Sequence, residues 1–327
     1  MNTHVIPSVS VIITAHDAAA TIADAVRTAM AEPETAEVIV VDDASGDQTA
    51  GVARMAGQGD NRLIVIRCDI NGGPAAARNR ALEIATGDFV AVLDADDFVL
   101  PGRFARLLAV PDADMVADNI LFVAESASPS DLPQMPQVEP AVMEIDLAGF
   151  VRANHSVRGS SRQEWGFLKP IMRRAFLQSH AMRYDEALRL GEDYDLYVRM
   201  LQKDARFRVS TQVGYAARWR ATSLSSRHST ADLRSLHLAA RRHLETDGLD
   251  GTARTALSVH AKELHRRFLL RDFLDRKSEA GRAGALLSAS RHPGTLVPIA
   301  RGILADKLAA RRPAPVSRIG RVLIERG

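Results

Sequence analysis

The chain has 327 residues, 46% of them hydrophobic and 25% charged, with a formal net charge of +2. This length and balance suit one large or two ordinary folded domains and exclude disordered, collagen-like and fibrous classes. The single cysteine, Cys68, excludes a disulfide scaffold and a cysteine-built zinc site, and points to a reducing cytosol. The N-terminus has no basic leader, so no signal peptide is expected, and no apolar run is long and uncharged enough for a spanning helix. The charge is unevenly spread. Residues 251–327 carry 16 Lys and Arg against 6 Asp and Glu, a balance of +10, and residues 1–250 balance at −8. A basic tail on an acidic body predicts contact with something anionic, a membrane surface or a nucleic acid.

Residues 1–125 alternate strand and helix patterns. SVSVIIT at 8–14 reads as a strand, and Ile22, Val26, Ala29 and Met30 follow at helical spacing after Asp17 or Thr21 as N-cap. VIVV at 38–41 is apolar on both faces, as in a strand covered on both sides, and ends in Asp42 and Asp43. A helix over 47–55, a strand over 62–67 and a helix over 74–85, with Pro74 in its first turn, come next. A strand over 89–93 ends in Asp94, Ala95, Asp96 and Asp97; a helix over 101–108 and a strand over 114–123 complete the series. Strands separated by helices imply right-handed βαβ units and a mostly parallel sheet. Pro129, Pro133, Pro136 and Pro140 mark 125–144 as a loop or linker. Beyond it, 165–173 looks strand-like, 192–201 helical and 214–219 strand-like. From Asp232 the pattern is helical, with Leu257, Ala261, Leu264 and Phe268 on one face, until RPAPVSR at 312–318 breaks it. Three regions follow: 1–125, 126–228 and a basic helical 229–327.

In open α/β sheets a ligand sits beyond the carboxyl ends of the strands. Three such ends are polar here: Thr14 to Asp17, Asp42 with Asp43, and Asp94 to Asp97. Asp94 and Asp96, two apart, share a face, and crowded carboxylates there either shift a pKa or hold a cation. Oxygen ligands favour Mg²⁺ or Mn²⁺, held by a carboxylate or two and by substrate phosphates. Asp42 and Asp43 could accept from a base or ribose, or simply belong to a turn that Ser45 or Asp47 caps. Asn71, Gly72, Gly73 and Pro74 open an alanine-rich helix whose free amides could face an anion, with Arg78 in reach of a phosphate or base. It is neither a P-loop nor a dinucleotide fingerprint. Gly191, Glu192, Asp193, Tyr194 and Asp195 open another helix; the acidic residues there either suit the macrodipole or include a general base.

Taken in order, SVSVIITAHDAAATI, EVIVVDDASGDQT, NGGPAAARNRALEIATGDFVAVLDADD and GEDYDL resemble glycosyltransferase family 2, over roughly residues 8–225. Within it the chain looks most like bacterial exopolysaccharide glucosyltransferases of the succinoglycan kind. The resemblance implies an α/β GT-A fold, a Rossmann-like, mostly parallel sheet flanked by helices, followed here by the basic helical extension. It implies an inverting transfer of a sugar, glucose in the nearest kind, from a UDP-sugar. The basic helical tail either lies on an anionic membrane, which would suit a polyprenyl-diphosphate-linked oligosaccharide acceptor on the cytoplasmic face of the plasma membrane, or packs as a solvated face on the catalytic domain. It places Thr14, Ala15, Asp17, Asp42, Asp43, Arg78, Asp94, Ala95 and Asp96 at the nucleotide-sugar, Asp96 and Asp97 at Mg²⁺ or Mn²⁺, and Asp193 as catalytic base. Trp165, Glu192 and Arg220 fall on the acceptor or sugar side. His16 and Asp17 stand where the family usually has Tyr and Asn, and residues 218–223 hold arginines where it often has a histidine. An arginine is therefore expected to help neutralise the diphosphate.

Two other classes use some of these features. A nucleotidyltransferase also joins an acidic strand end, a metal and a nucleotide, but it predicts a glycine-rich basic loop after the first strand, and ITAHDAAAT is not one. A nucleic-acid binder could use the basic tail. Aromatic residues are 5% of the chain, few for stacking bases, so no nucleic-acid partner is expected.

Overall fold

The computed structural model describes residues 7–132, 141–155, 164–219, 228–290, 299–300 and 319–324. The chain divides into two compact units, one of residues 1–150, 163–220 and 318–327, the other of 151–162 and 221–317.

In the first unit, β1 (Val9–Ala15), β2 (Thr35–Asp42), β3 (Leu63–Arg67) and β4 (Phe89–Asp94) alternate with α1 (Ile22–Met30), α2 (Thr49–Ala56) and α3 (Gly73–Ile84). The four strands are parallel, in the order β3-β2-β1-β4. Val11, Ile12, Ile13, residues 38–41 and residues 90–93 are buried throughout. That is why they read as continuous apolar runs and not as alternating ones. Their polar carboxyl ends emerge together at one edge.

The chain goes on through β5 (Phe98–Val99), α4 (Arg103–Leu108), β6 (Met115–Ala124), β7 (Val142–Ile145), α5 (Leu147–Ala153), β8 (Ile171–Arg173), α6 (Arg174–Ser179), α7 (Glu192–Leu201) and β9 (Phe207–Trp219). The full order is β3-β2-β1-β4-β8-β6-β9-β5, with β7 on β9. β8 runs antiparallel to β4 and β6, while β6 and β9 are parallel. The parallel character thus belongs to the first half of the sheet and becomes mixed in the second.

Several elements differ from the sequence pattern. The strand expected over 165–173 splits into a 3₁₀ turn at Trp165–Phe167 and the short β8, because Pro170 between them has no N–H to give to a ladder. β7 begins inside the expected loop, at Val142; of the four prolines there, Pro133, Pro136 and Pro140 lie outside the described residues. β9 starts at Phe207, well before Gly214. Past the break read in the tail, residues 319–324 return to β6: Gly320 N–H donates to Phe122 C=O (2.8 Å) and Leu323 N–H to Ile120 C=O (2.8 Å). The break read at 312–318 lies outside the described residues.

Beneath the second half of the sheet, the fully buried Arg103 forks onto Asp118 with Nε and Nη2 at 2.9–3.1 Å. Gly214 makes room for this pair, since a Cβ there would lie 1.8 Å from Asp118 Oδ2.

The second unit contains α8 (Thr230–Leu244) and α9 (Gly251–Ser290), the latter interrupted at Gly281, whose φ is 70°. Ser229 and Asp232 form a reciprocal capping box that starts α8. Leu233, Leu236, Ala239 and Ala240 of α8, and Ala253, Leu257, Ala261 and Leu264 of α9, are buried, as the spacing predicts.

Candidate functional site

The strand register assembles the polar ends. Thr14 lies beside Asp94, and Ala15 beside Asp42. Asp17, with φ 51°, accepts Gly46 N–H at 2.8 Å and gives its own N–H to Ser45 Oγ at 3.0 Å, so the loops after β1 and β2 are stitched together. Asp42 is fully buried. Its Oδ1 accepts Ser45 N–H at 3.0 Å, and its Oδ2 has no hydrogen-bond partner.

Asp43 closes the loop at the start of α3. Its carboxylate accepts the N–H groups of Gly72 (2.9 Å) and Gly73 (2.8 Å), and its carbonyl accepts Asn71 Nδ2 (3.2 Å) and lies 2.9 Å from His16 Nδ1. The two glycine amides, read from the sequence as a candidate anion site, are thus already taken by Asp43. Asp47 accepts Thr49 N–H at 2.9 Å, a turn just ahead of α2; the N-cap of that helix is Gln48 and carries no side-chain cap, so neither Ser45 nor Asp47 caps it as expected.

The carboxyl end of β4 meets α7 through two buried cations. Arg78, 4% exposed, sends Nη2 to Asp94 Oδ1 (3.1 Å) and Nη1 to Glu192, and this Nη1 lies 3.3 Å from Asp193 Oδ1. Lys169 Nζ is 2.9 Å from both Asp94 Oδ2 and Asp193 Oδ2. Asp193 Oδ1 is buried and has no hydrogen-bond partner. Gly191, at φ 75°, makes the left-handed turn that points the start of α7 into this cluster. Arg78, expected to reach a phosphate or base, instead lies inside, binding the two halves of the site.

Burial opposes every charge in such a place, and the neighbours decide the outcome. For Lys169, burial is outweighed by Asp193 and Asp94, which hold the ammonium well above its ordinary range. Arg78 is likewise raised by Asp193, Glu192 and Asp94 against burial. The Asp94 carboxyl is held below its usual range because Lys169 and Arg78 overcome burial. Glu192 is raised, since burial and Asp193 together exceed the pull of Arg78.

The remaining acids of the strand end part ways. Asp97 turns inward, accepting Tyr215 Oη–H at 2.8 Å and Arg218 N–H at 2.9 Å. Burial, then Asp96 and Asp94, push its carboxyl well above the usual range. Asp96 is half-buried, and its carbonyl accepts Arg218 Nη1 at 2.7 Å. Arg218 also reaches Asp24 (2.6 Å) and Ala127 C=O (3.0 Å). It braces the acidic loop against α1 instead of facing a diphosphate. Arg220 lies outside the described residues. Ala95 is buried between its acidic neighbours. Trp165 sits in the turn packed against α7, half-buried, and its indole N–H has no partner.

Among the described residues no three acidic, imidazole or thiol groups form a ready cation cage. The donor set nevertheless fits a hard divalent cation of the kind that takes one or two carboxylates and completes its shell from phosphates and water. Of the two acids that the resemblance places at the cation, Asp97 is turned inward and Asp96 lies half-buried beside Asp94, which two cations engage. Sequence reasoning missed Lys169, Tyr215 and Arg218. The one available signal was a lysine between Leu168 and Pro170 in an otherwise apolar stretch.

A parallel half-sheet with acidic strand ends, tied to a second acidic helix across a mixed half-sheet, is the GT-A glycosyltransferase architecture. The chain belongs to glycosyltransferase family 2: the model described as Glycosyl transferase family 2 matches residues 10–177. It is 47% identical to succinoglycan biosynthesis protein ExoU of Rhizobium meliloti (strain 1021), over 96% of this chain and 93% of that one. It is 34% identical to ExoO, another succinoglycan biosynthesis protein of that strain, over 95% and 90%. Among solved structures, S. aureus TarS 1-349 in complex with UDP-GlcNAc is similar in fold, with TM-score 0.58 and 23% identity over 83% of this chain and 74% of that one. So is the Pyrobaculum calidifontis mannosyltransferase PcManGT with GDP-Man and Mn²⁺, with TM-score 0.56 and 19% identity over 95% and 82%. Asp193 and Glu192 lie beyond the residues the family model matches.

Proposed function

We propose that this glycosyltransferase moves a sugar, glucose in the first instance, from a UDP-sugar to a hydroxyl of a polyprenyl-diphosphate-linked oligosaccharide, with inversion at the anomeric carbon, in exopolysaccharide synthesis of the succinoglycan type. The likeness to two succinoglycan biosynthesis proteins over nearly the whole chain supports the pathway class, and a fold neighbour solved with UDP-GlcNAc supports a UDP-sugar. The observation that carries the mechanism is the buried Oδ1 of Asp193, which accepts no hydrogen bond, on a carboxylate joined through Lys169 and Arg78 to Asp94 at the end of β4.

The donor binds at the ends of β1, β2 and β4, its uridine toward Asp17, Asp42 and Asp43 and its sugar toward Asp94. Trp165 offers its indole N–H to the sugar or acceptor. Asp193 Oδ1 takes the proton of the acceptor hydroxyl as that oxygen attacks the anomeric carbon and the bond to UDP breaks. Mg²⁺ or Mn²⁺ at Asp96 would supply charge neutralisation for the leaving diphosphate. Glu192 holds Arg78 in place beneath the site.

The helical unit supports a membrane partner. Arg241, Lys262 and Arg266 line a cleft of about 480 Å³, and Leu238 and Val259, each next in sequence to a residue of the cleft, are exposed. Basic and apolar groups together suit an anionic bilayer on its cytoplasmic side. Among the described residues no helix is long and apolar enough to cross a membrane. A panel of nucleotide-sugars assayed for UDP release with membrane extract tests the whole reading. Release from UDP-glucose that depends on the extract supports it, and release from none of the UDP-sugars overturns it.

A further inference from the structure

We infer that Lys169 is a positioning residue of the transfer step: its ammonium ties down one oxygen of Asp193, leaves the other to take the proton, and fixes that oxygen relative to the end of β4. The inference rests on Asp193 being the base.

The contacts divide the work between the two cations. Arg78 takes Glu192 and Asp94 Oδ1, and its Nη1 lies 3.3 Å from Asp193 Oδ1 without hydrogen-bonding it. Lys169 takes Asp94 Oδ2 and Asp193 Oδ2, each at 2.9 Å. Asp193 Oδ1 is then the one oxygen of this pair of aspartates without a hydrogen bond. A free carboxylate could swing about its side-chain bond and offer either oxygen; one held by an ammonium offers a single, placed oxygen.

The lysine is itself held. Its carbonyl accepts Arg103 Nη2, the same guanidinium that forks onto Asp118. The carbonyl before it, that of Leu168, accepts Tyr197 Oη–H at 3.2 Å from α7, the helix that carries Asp193. Pro170 restricts the chain on the other side. The stem of Lys169 is therefore anchored both to the core and to the helix of the base. Stability alone does not call for an ion here, because apolar replacement of a buried charge network is often neutral or stabilising. Lys169 keeps its proton throughout: the acceptor's proton goes to Asp193 Oδ1, and the lysine neither gives nor takes one.

The test compares Lys169→Met, Lys169→Arg and Asp193→Asn in the full chain, by initial rates with UDP-sugar and acceptor, by UDP titration calorimetry and by thermal melting. Lys169→Met should lower kcat on the order of 10²-fold, the scale of a misplaced reacting group, with UDP affinity unchanged. Lys169→Arg, which keeps the charge, should recover part of the rate. A wild-type rate in Lys169→Met, or a slow Lys169→Met with no recovery in Lys169→Arg, overturns the inference while an inactive Asp193→Asn leaves the base standing. An active Asp193→Asn overturns the base itself. If Lys169→Met melts before assay temperature, Lys169→Arg decides alone: a kcat below wild type with unchanged donor KM is expected, and an equal kcat overturns the inference.

Discussion

Arg78 and Glu192, 114 positions apart in sequence, form a buried ion pair that fastens the start of α7 beneath the end of β4. The pair keeps Asp193, the next residue, at the strand end where the donor sugar is proposed to lie.

Asp193→Asn removes the proton acceptor and keeps the shape. Proton abstraction of this kind contributes roughly 10²–10⁴-fold, so transfer should fall by that order while UDP binding is retained. Rates and calorimetry on the same preparation check it; a variant with wild-type turnover rejects the assignment.

Chelation should stop transfer, and added Mg²⁺ or Mn²⁺ should restore it. Asp96→Asn and Asp97→Asn, at the two acids expected to hold the cation, should each weaken the response to metal. A titration of activity against Mn²⁺ for the three proteins reads the difference. Full activity in chelator removes the cation from the mechanism.

Arg103→Met should destabilise the first unit by about 3–5 kcal/mol, because it leaves Asp118 buried and unpaired. Thermal and urea unfolding measure the loss, and a change below about 1 kcal/mol contradicts it.

Glu37 gives the fold an acid limit. Burial opposes its charge, but hydrogen bonds from Ser10 Oγ (2.7 Å) and from Thr86 N (2.7 Å) and Oγ1 (2.8 Å) bring its carboxyl below the ordinary 4.5. A group whose folded value is depressed stabilises the fold fully above its unfolded value and loses that contribution as pH falls through the folded one. Melting temperature should therefore drop below about pH 4.5, and less steeply in Glu37→Gln. Parallel curves for the two proteins reject this.

Charge reversal at Arg241, Lys262 and Arg266 together should abolish flotation with vesicles rich in phosphatidylglycerol and leave the first unit's melting unchanged. Neutral phosphatidylcholine vesicles should bind neither protein. Equal flotation of wild type and variant on anionic vesicles removes this face from the membrane contact.

The parallel half of the sheet could be read from the chain because its strands are buried on both faces and so are written as unbroken apolar runs, each ending in polar residues. The same logic located Asp42, Asp43, Asp94 and Asp96, since the ends of neighbouring parallel strands must meet. Periodicity located α7 and the helices after Asp232, and the family resemblance singled out Asp193 on the first of them. Three things were decided only in space. Arg78 is charged and sits on a helix, and nothing in its neighbours tells whether it faces a nucleotide or three carboxylates inside the protein. Arg218, which no sequence pattern singled out, proves to be a brace for the acidic loop. Lys169 has no motif at all: it is useful because β4 and α7, far apart along the chain, each bring one carboxylate to within 2.9 Å of its nitrogen. Local pattern records which face of an element is buried, whereas a charge's role depends on which other charges are packed against it, and that is a property of the folded chain alone.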